Sequence, residues 1–425
     1  MFSFFYDLVL FLVGLLALPK LLLDAWRHGK YRKSIKERLG MHLPSLSKGE
    51  HPLIWIHTVS VGETRAVIPL FYEIKKAYPL AKVIISTTTE TGQLEARRSM
   101  KEADAHFFLP LDFSFLSKKV VNKYQPDMLI LVESDFWYHL LKYTKKRGGK
   151  VVLVNGKISE RSFKRFKIFS FLAKRLFSLF DLFCVQSPLY ANRFFALGVP
   201  KEKIHSTGNL KFDQSAKGLN PNEIAAWKDS LGIKEDDLVL TIGSTHDPEE
   251  EELLLALKPL WEKIPHLKVL IVPRHPERFI KVAKLLQDKG IPFISYSEKE
   301  KKTTEEKVIL IDAMGLLNIC YQLADVAIVA GSFTDKVGGH NIFEPVNFST
   351  PVLFGPHMHT QQDLVSLVLE AKAGLQVTLE TLPSILLNLL ENPVERKKIA
   401  TFCEELAEGS RGSTSRTFEI IKRRL

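Results

Sequence analysis

A glutamate one turn into a helix that follows a strand is placed to take a proton, and the 425-residue chain offers one in Ser60-Val61-Gly62-Glu63. The run LIWIHTV before it reads as a strand and the segment through Ala77 as an amphipathic helix, which sets Glu63 at a strand end. Two readings stand side by side. Ser60-x-x-Glu63 is the capping box that ties down a first helical turn, and a carboxylate at that place is also a general base for an attacking hydroxyl.

Three further groupings follow strand-like runs in the second half. In Thr241–Asp247, TIGSTHD, the helix start with Ser244, Thr245 and His246 is either an anion site or an ordinary capped turn. Between Pro273 and Pro276, Arg274 and His275 project from a stiffened turn, where a guanidinium suits phosphate or carboxylate as well as it suits a surface ion pair. The densest grouping is Gly331-Ser332-Phe333, Gly338-Gly339-His340-Asn341 and Glu344-Pro345. Paired glycines let a backbone approach a ligand, and Glu344 suits ribose hydroxyls. Of His246, His275, His340, His357 and His359 only the last two are closely spaced, and no cysteine cluster joins them, so no metal site is expected.

The elements that must carry these residues repeat as strand and helix from Pro52 onward. LIWIHTV, KVIISTTT, HFFLP, DMLILVES, KVVLVNG and DLFCVQS in the first half, then DLVLTIGS, KVLIVP, PFISYS, KVILID, DVAIVAGS and PVLFG, predict parallel sheets covered on both faces. The polar stretch SAKGLNPNEIAA after Asp213 reads as a linker. The expected class is α/β, with two Rossmann-like doubly wound domains, 26–213 and 214–425, facing a cleft, after an N-terminal membrane anchor over 1–25. Ligands in such sheets bind beyond the carboxyl ends of strands, where the groupings fall.

Charge and hydropathy bear on partners. Lys and Arg number 59 against 48 acidic residues, a net +11 that points to an anionic partner, with nucleic acid, anionic lipid and phosphorylated substrate all open. The basic cluster Arg27 to Arg38 follows the apolar stretch Phe2 to Leu23, which favours a membrane surface, as a tilted span or a shallow anchor, with the rest of the chain cytoplasmic. Arg161 to Phe180 alternates Phe163, Phe166, Phe169, Leu172, Leu176 and Phe180 with Lys and Arg. That pattern fits an interfacial helix on anionic lipid and a core-facing helix equally. Cys184, Cys320 and Cys403 read as reduced core residues.

IHTVSVGETRA, STTTETG, ESDFW, VNGKISERS, STGNLKFD, GSTHDPEEE, VPRHPERF, DAMG, GGHNIFEP and FGPHM together resemble, over essentially the whole chain, the 3-deoxy-D-manno-oct-2-ulosonic acid (Kdo) transferases of lipopolysaccharide biosynthesis. The resemblance implies the GT-B architecture and an inverting glycosyltransferase that moves Kdo from CMP-Kdo to a bisphosphorylated lipid A precursor at the cytoplasmic face of a bacterial inner membrane. No cofactor, metal or nucleic acid is implied. Glu63 then matches the catalytic base. Lys211, Ser244, Thr245, His246, Arg274, His275, Met314, Gly315, Gly339, His340, Asn341 and Glu344 match the donor site, and Ser60, Gly62, Thr88 and Glu133 the acceptor side. The family segment E-T-E-x-W-P reads E-S-D-F-W-Y here, so Asp135 and Tyr138 depart from it. Rival readings are another membrane-associated GT-B enzyme using a UDP-sugar and a non-catalytic nucleotide- or lipid-binding module.

Overall fold

The computed structural model describes residues 2–28, 34–46, 49–213, 218–301, 303 and 305–424. Lys30, Arg32 and Lys33 of the basic cluster after the apolar stretch, and the first residues of the expected linker, lie outside them. The chain divides into two compact units, Met1–Gln214 with Ser410–Leu425, and Ser215–Gly409.

Unit 1 holds β1 (Leu53–Thr58), β2 (Lys82–Thr87), β3 (Ala105–Phe108), β4 (Met128–Val132), β5 (Lys150–Gly156), β6 (Leu182–Val185) and β7 (Ile204–Ser206). They form one parallel sheet in the order β3-β2-β1-β4-β5-β6-β7. Alternation along each strand feeds two cores. Leu53 and Trp55 of β1 join Leu129 and Leu131 of β4 on one face, while Ile54 and Ile56 join Met128, Ile130 and Val132 on the other. Both faces are therefore covered, as near-continuous apolar strands require.

Unit 2 repeats the plan with β8 (Leu238–Thr245), β9 (Leu267–Pro273), β10 (Phe293–Ser295), β11 (Val308–Leu310), β12 (Val326–Val329), β13 (Val352–Phe354) and β14 (Gly374–Gln376). Their order is β10-β11-β9-β8-β12-β13-β14, again all parallel. In each sheet the chain reverses its direction of winding at one place, between β1 and β4 and between β8 and β12. Such switch points open a crevice beyond the strand ends.

The expected domain 214–425 needs correction at its end. The helix Ser413–Lys422 belongs to unit 1, where Phe418 and Ile421 enter the core face that includes Ala66, Leu70 and Ile74. Arg416 Nε donates to the Thr207 carbonyl (3.0 Å), Thr417 and Thr207 hydroxyls pair (2.9 Å), and Gly412 N–H donates to Asp213 (2.7 Å). Amphipathic periodicity shows that this helix must bury one face, but not against which domain.

The N-terminal helix runs Phe2–His28. Among the described residues no helix is long and apolar enough to cross a membrane. The stretch Arg161 to Phe180 forms two helices, Glu160–Ile168 and Ser170–Phe177, and divides its aromatics. Phe163, Phe166, Leu176 and Phe180 pack into the core, whereas Phe169 and Leu172 are exposed with Ile168 and Phe171. The three cysteines are free and buried.

Candidate active site

Glu63 sits where β1 hands over to the helix Val61–Ala77, beside the switch point. The cap forms but the capping box does not close, because the Glu63 carboxylate takes its backbone hydrogen bond from Val59 and not from Ser60. Ser60 Oγ accepts the Glu63 N–H (3.3 Å) as helix cap, and donates back to Glu63 Oε1 (2.9 Å), while Val59 N–H donates to Oε2 (2.7 Å). The Ser60 hydroxyl is thus engaged with Glu63 twice. Burial raises the Glu63 carboxyl above its ordinary range; the Val59 N–H opposes that and the charge of Glu133 adds to it. A half-desolvated carboxylate held by two donors is oriented and basic, which is what proton abstraction from a hydroxyl needs.

Across the switch point, β4 ends in Glu133, whose φ of +66° lies in the left-handed region. A non-glycine residue held there costs about 1 kcal/mol or more and recurs at functional sites. The twist aims its carboxylate at two cations, Lys211 Nζ at 2.6 Å and Lys157 Nζ at 2.7 Å. Burial would raise the Glu133 carboxyl, but Lys211 and Lys157 outweigh it and hold it below the ordinary range. Asn155 supports this corner from a bulge in β5: it has φ +53°, donates to Glu133 Oε1 (3.4 Å) and accepts Leu210 N–H (3.0 Å).

Two residues on, Asp135 hydrogen-bonds to Glu63, and burial followed by the Glu63 charge pushes its carboxyl up to about 7. Trp137 locks the same loop, donating from Nε1 to His57 Nε2 (3.1 Å), so the His57 Nδ1–H faces Ser86 Oγ (2.8 Å). Burial lowers His57 to about 3 and keeps it neutral. Tyr138, the other departure from the family segment, is buried away from these carboxylates against Phe2. Thr88 follows β2 and its Oγ is buried with no partner among the described residues. A Cβ on Gly62 would meet Lys211 Nζ and Ser60 Oγ at 3.9 Å, ordinary contacts, so the chain itself does not demand glycine there.

Unit 2 gathers most of the expected donor residues at its own switch point. A bulge after Gly243 puts Ser244 at φ +61° at the end of β8. His246 and His340 stack with ring centroids 5.0 Å apart and Nε2 atoms 2.7 Å apart, and His275 meets His246 edge-on at 5.3 Å. One proton serves the facing nitrogens, so both rings cannot charge together. Burial, then the neighbouring cations, lowers His246, and lowers His340 to about 4. Arg274 and His275 stand exposed after β9, and the Arg274 N–H donates to the Thr245 carbonyl (3.1 Å). Asn341 Nδ2 donates to Glu344 Oε1 (3.4 Å), and burial raises Glu344 to about 6 against the pull of Asn341 and Arg274. Gly339 has φ +87°, and a Cβ there would strike the Met358 sulfur. Met314 is exposed beside Gly315, at φ +90°.

Lys211 belongs to unit 1, where its Nζ meets Glu133, while the other expected donor residues belong to unit 2. Among the described residues no group of His, Cys, Asp and Glu could hold a metal ion. Several participants had no signal in spacing. Lys157 and Asn155 from the end of β5, and Asp135 from beyond β4, converge on Glu133 and Glu63. Glu249, in a run of four glutamates that resembles a solvated helix start, is fully buried and accepts N–H groups of Gly331 (2.6 Å), His246 (2.9 Å) and Phe333 (3.4 Å). It thereby ties the loop after β12 to the helix after β8.

Residues 33–214 match the family described as 3-Deoxy-D-manno-octulosonic-acid transferase (kdotransferase). The chain is 36% identical over 425 residues to a 3-deoxy-D-manno-octulosonic acid transferase of Chlamydia trachomatis serovar A, covering 98% of this chain and 96% of that one. It is 33% identical over 427 residues to the enzyme of that name in Haemophilus influenzae, covering 99% and 98%. A solved glycosyltransferase from Rickettsia africae superposes with a TM-score of 0.61 over 88% of this chain and 99% of that one, at 14% identity, a likeness of fold. The two parallel-sheet α/β units accordingly match the expected GT-B class. With identity above 30% along almost the entire length of both relatives, the chain belongs to the 3-deoxy-D-manno-octulosonic acid transferase family.

Proposed function

We propose that this protein transfers Kdo from CMP-Kdo to a hydroxyl of a bisphosphorylated lipid A precursor, with inversion at the anomeric carbon and Glu63 as the base. The observation that carries the base is the buried Glu63 carboxylate, raised by desolvation and held by Val59 N–H and the Ser60 hydroxyl at the sheet's switch point. The acceptor hydroxyl gives its proton to Glu63 as its oxygen bonds to the anomeric carbon. The bond from that carbon to CMP breaks on the opposite face, and its electron pair leaves on the phosphate.

Thr88 and Gly62, with Glu133 and its two lysines behind them, serve the acceptor, and Ser60 serves by orienting Glu63. Arg274, His275 and Lys211 serve the donor's phosphate and carboxylate. Ser244, Thr245, His246, Met314, Gly315, Gly339, His340, Asn341 and Glu344 hold the nucleotide. Fixed cations and backbone N–H groups neutralise the departing phosphate, so the step needs no metal. The acceptor is a lipid, and the exposed apolar residues of the N-terminal helix support binding to an anionic membrane at its cytoplasmic face.

The test is transfer of labelled Kdo from CMP-Kdo to tetraacyl lipid A precursor by native protein and by Glu63→Gln at matched folding. Loss of a general base lowers the rate by about 10²- to 10⁴-fold. Equal product from both proteins removes Glu63 as the base, and no product from native protein removes the donor and acceptor assignment.

A further inference from the structure

The N-terminal helix is fastened to unit 1 through its first two turns. Phe2 packs on Tyr138 (4.6 Å) under the Arg175 guanidinium (4.8 Å), and Lys142 Nζ donates to Ser3 Oγ (2.5 Å). The Tyr6 hydroxyl donates to Asp112 (3.0 Å). Asp7 accepts Ser114 N–H (2.9 Å) and lies 3.1 Å from His139 Nε2. The rest of its described length is bare: Phe4, Phe5, Val9, Phe11 and Val13 are each more than half exposed, Leu16 is 82% exposed, and every residue from Phe11 to Leu16 is exposed.

A helix of 27 residues is about 40 Å long, enough in length to cross a bilayer core of about 30 Å. Crossing would carry residues 2–7 to the far side of the membrane, away from the unit that binds them. The other end is tethered as well. His28 precedes Ser34 by six residues, a reach of at most about 20 Å. Just beyond, Glu37 accepts Phe108 N–H (3.1 Å) and the Gly40 carbonyl accepts from Lys119 (2.8 Å), both contacts within unit 1.

A second bare patch adjoins the first. At the bend between the helices Glu160–Ile168 and Ser170–Phe177, Ile168, Phe169 and Phe171 are 75%, 60% and 71% exposed, among exposed Lys164, Lys167 and Lys174. Phe171 lies one turn before Arg175, the residue that covers Phe2, so the patches are neighbours. Apolar side chains ringed by cations match the headgroup region of an anionic bilayer.

We infer that the N-terminal helix lies in the plane of an anionic membrane surface, its first two turns fastened to unit 1, and that with the Phe169 bend it forms a two-part lipid-docking face instead of a transmembrane span. This rests on the membrane reading above and specifies its geometry. Residues 2–7 then stay on the same side of the membrane as the catalytic unit.

The test appends an epitope before Met1 of the full chain and exposes spheroplasts and inverted inner-membrane vesicles to protease. Digestion of the epitope in the same preparation that digests the rest of the chain is expected. Digestion of epitope and chain from opposite faces overturns the inference, while leaving the protein a membrane enzyme. In parallel, native protein should float with phosphatidylglycerol-containing vesicles, and Leu16→Glu with Phe171→Glu should reduce the bound fraction about tenfold without loss of thermal stability. Native protein that does not float with these vesicles ends the membrane reading itself. Flotation unchanged in the double variant overturns the docking face alone.

Discussion

Replacing Asp135 with asparagine should move the acid limb of the pH profile for Kdo transfer. Burial, then the Glu63 charge and the hydrogen bond to it, raise the Asp135 carboxyl from 3.8 to about 7. Two like charges about 4 Å apart repel by about 4 kcal/mol at an effective dielectric constant of about 20. At about 1.4 kcal/mol per pH unit, that is about three pH units on whichever carboxyl ionises second. The rise at Asp135 is thus of the size a close carboxyl pair can sustain, and between the two ionisations the pair holds one proton. Glu63 has two donors of its own in Val59 and Ser60, so the anion rests on Glu63 and the proton on Asp135. Glu133 and Lys157 also face Asp135, the first reinforcing the rise and the second opposing it, and Lys211 faces Glu63. In the asparagine variant Glu63 titrates without the Asp135 carboxyl beside it, though still under the charge of Glu133. The ionisation near 7 vanishes from the profile of kcat/KM and the remaining limb lies lower. A weaker base also works more slowly, so the rate at about pH 8 falls by roughly three- to tenfold. Asp135→Glu keeps the second carboxyl and should restore the limb near neutrality. Initial rates across the pH range at matched folding decide the matter. An asparagine variant whose acid limb coincides with that of native protein refutes the coupling, whereas activity surviving in Glu63→Gln refutes the base.

Glu249 and Arg274 give two further tests in unit 2. Burial raises the Glu249 carboxyl from 4.5 to about 7, so the folded state favours the neutral form; that stability is present below 4.5 and lost as pH rises through 7. Its size is about 3 kcal/mol, and Glu249→Gln should flatten this part of the thermal-unfolding profile. His340 runs the other way: lowered from 6.5 to about 4, it contributes stability above 6.5 that is lost as pH falls through 4, which the glutamine variant should unmask. Glu249→Ala leaves the Gly331 and Phe333 N–H groups without their acceptor and should cost about 2–4 kcal/mol by denaturant titration. Arg274→Ala should leave the unfolding midpoint unchanged, because the side chain is exposed, yet raise the KM for CMP-Kdo about ten- to a hundredfold through loss of a charge-assisted contact. An unchanged KM removes Arg274 from the donor site.

The parts of this molecule legible in its sequence are those that act through local spacing. Twelve of the strands follow apolar runs long enough to read; β7 (Ile204–Ser206) and β14 (Gly374–Gln376) each hold a single large apolar residue and so show no period. Ser60 and Glu63 interact at i and i+3, so spacing alone supported both the cap and the base; the structure shows the cap, and shows the carboxylate held by Val59 N–H and the Ser60 hydroxyl. The supporting shell is different in kind. Glu133 is held by Lys157 and Lys211, fifty-four positions apart, and its aim depends on a left-handed φ that glutamate rarely adopts. Glu249 looks like one more acid in a solvated helix start until the β12 loop closes over it. Asp135 carried a signal only as a departure from the family segment. A shorter acid at that position still reaches Glu63, so its proton-sharing role depends on the carboxyl being present and not on the extra methylene of glutamate. The residues that set the charge state of Glu63 are therefore placed by the order of the strands, which brings the ends of β1, β4 and β5 together, and a one-dimensional spacing rule has no access to that convergence.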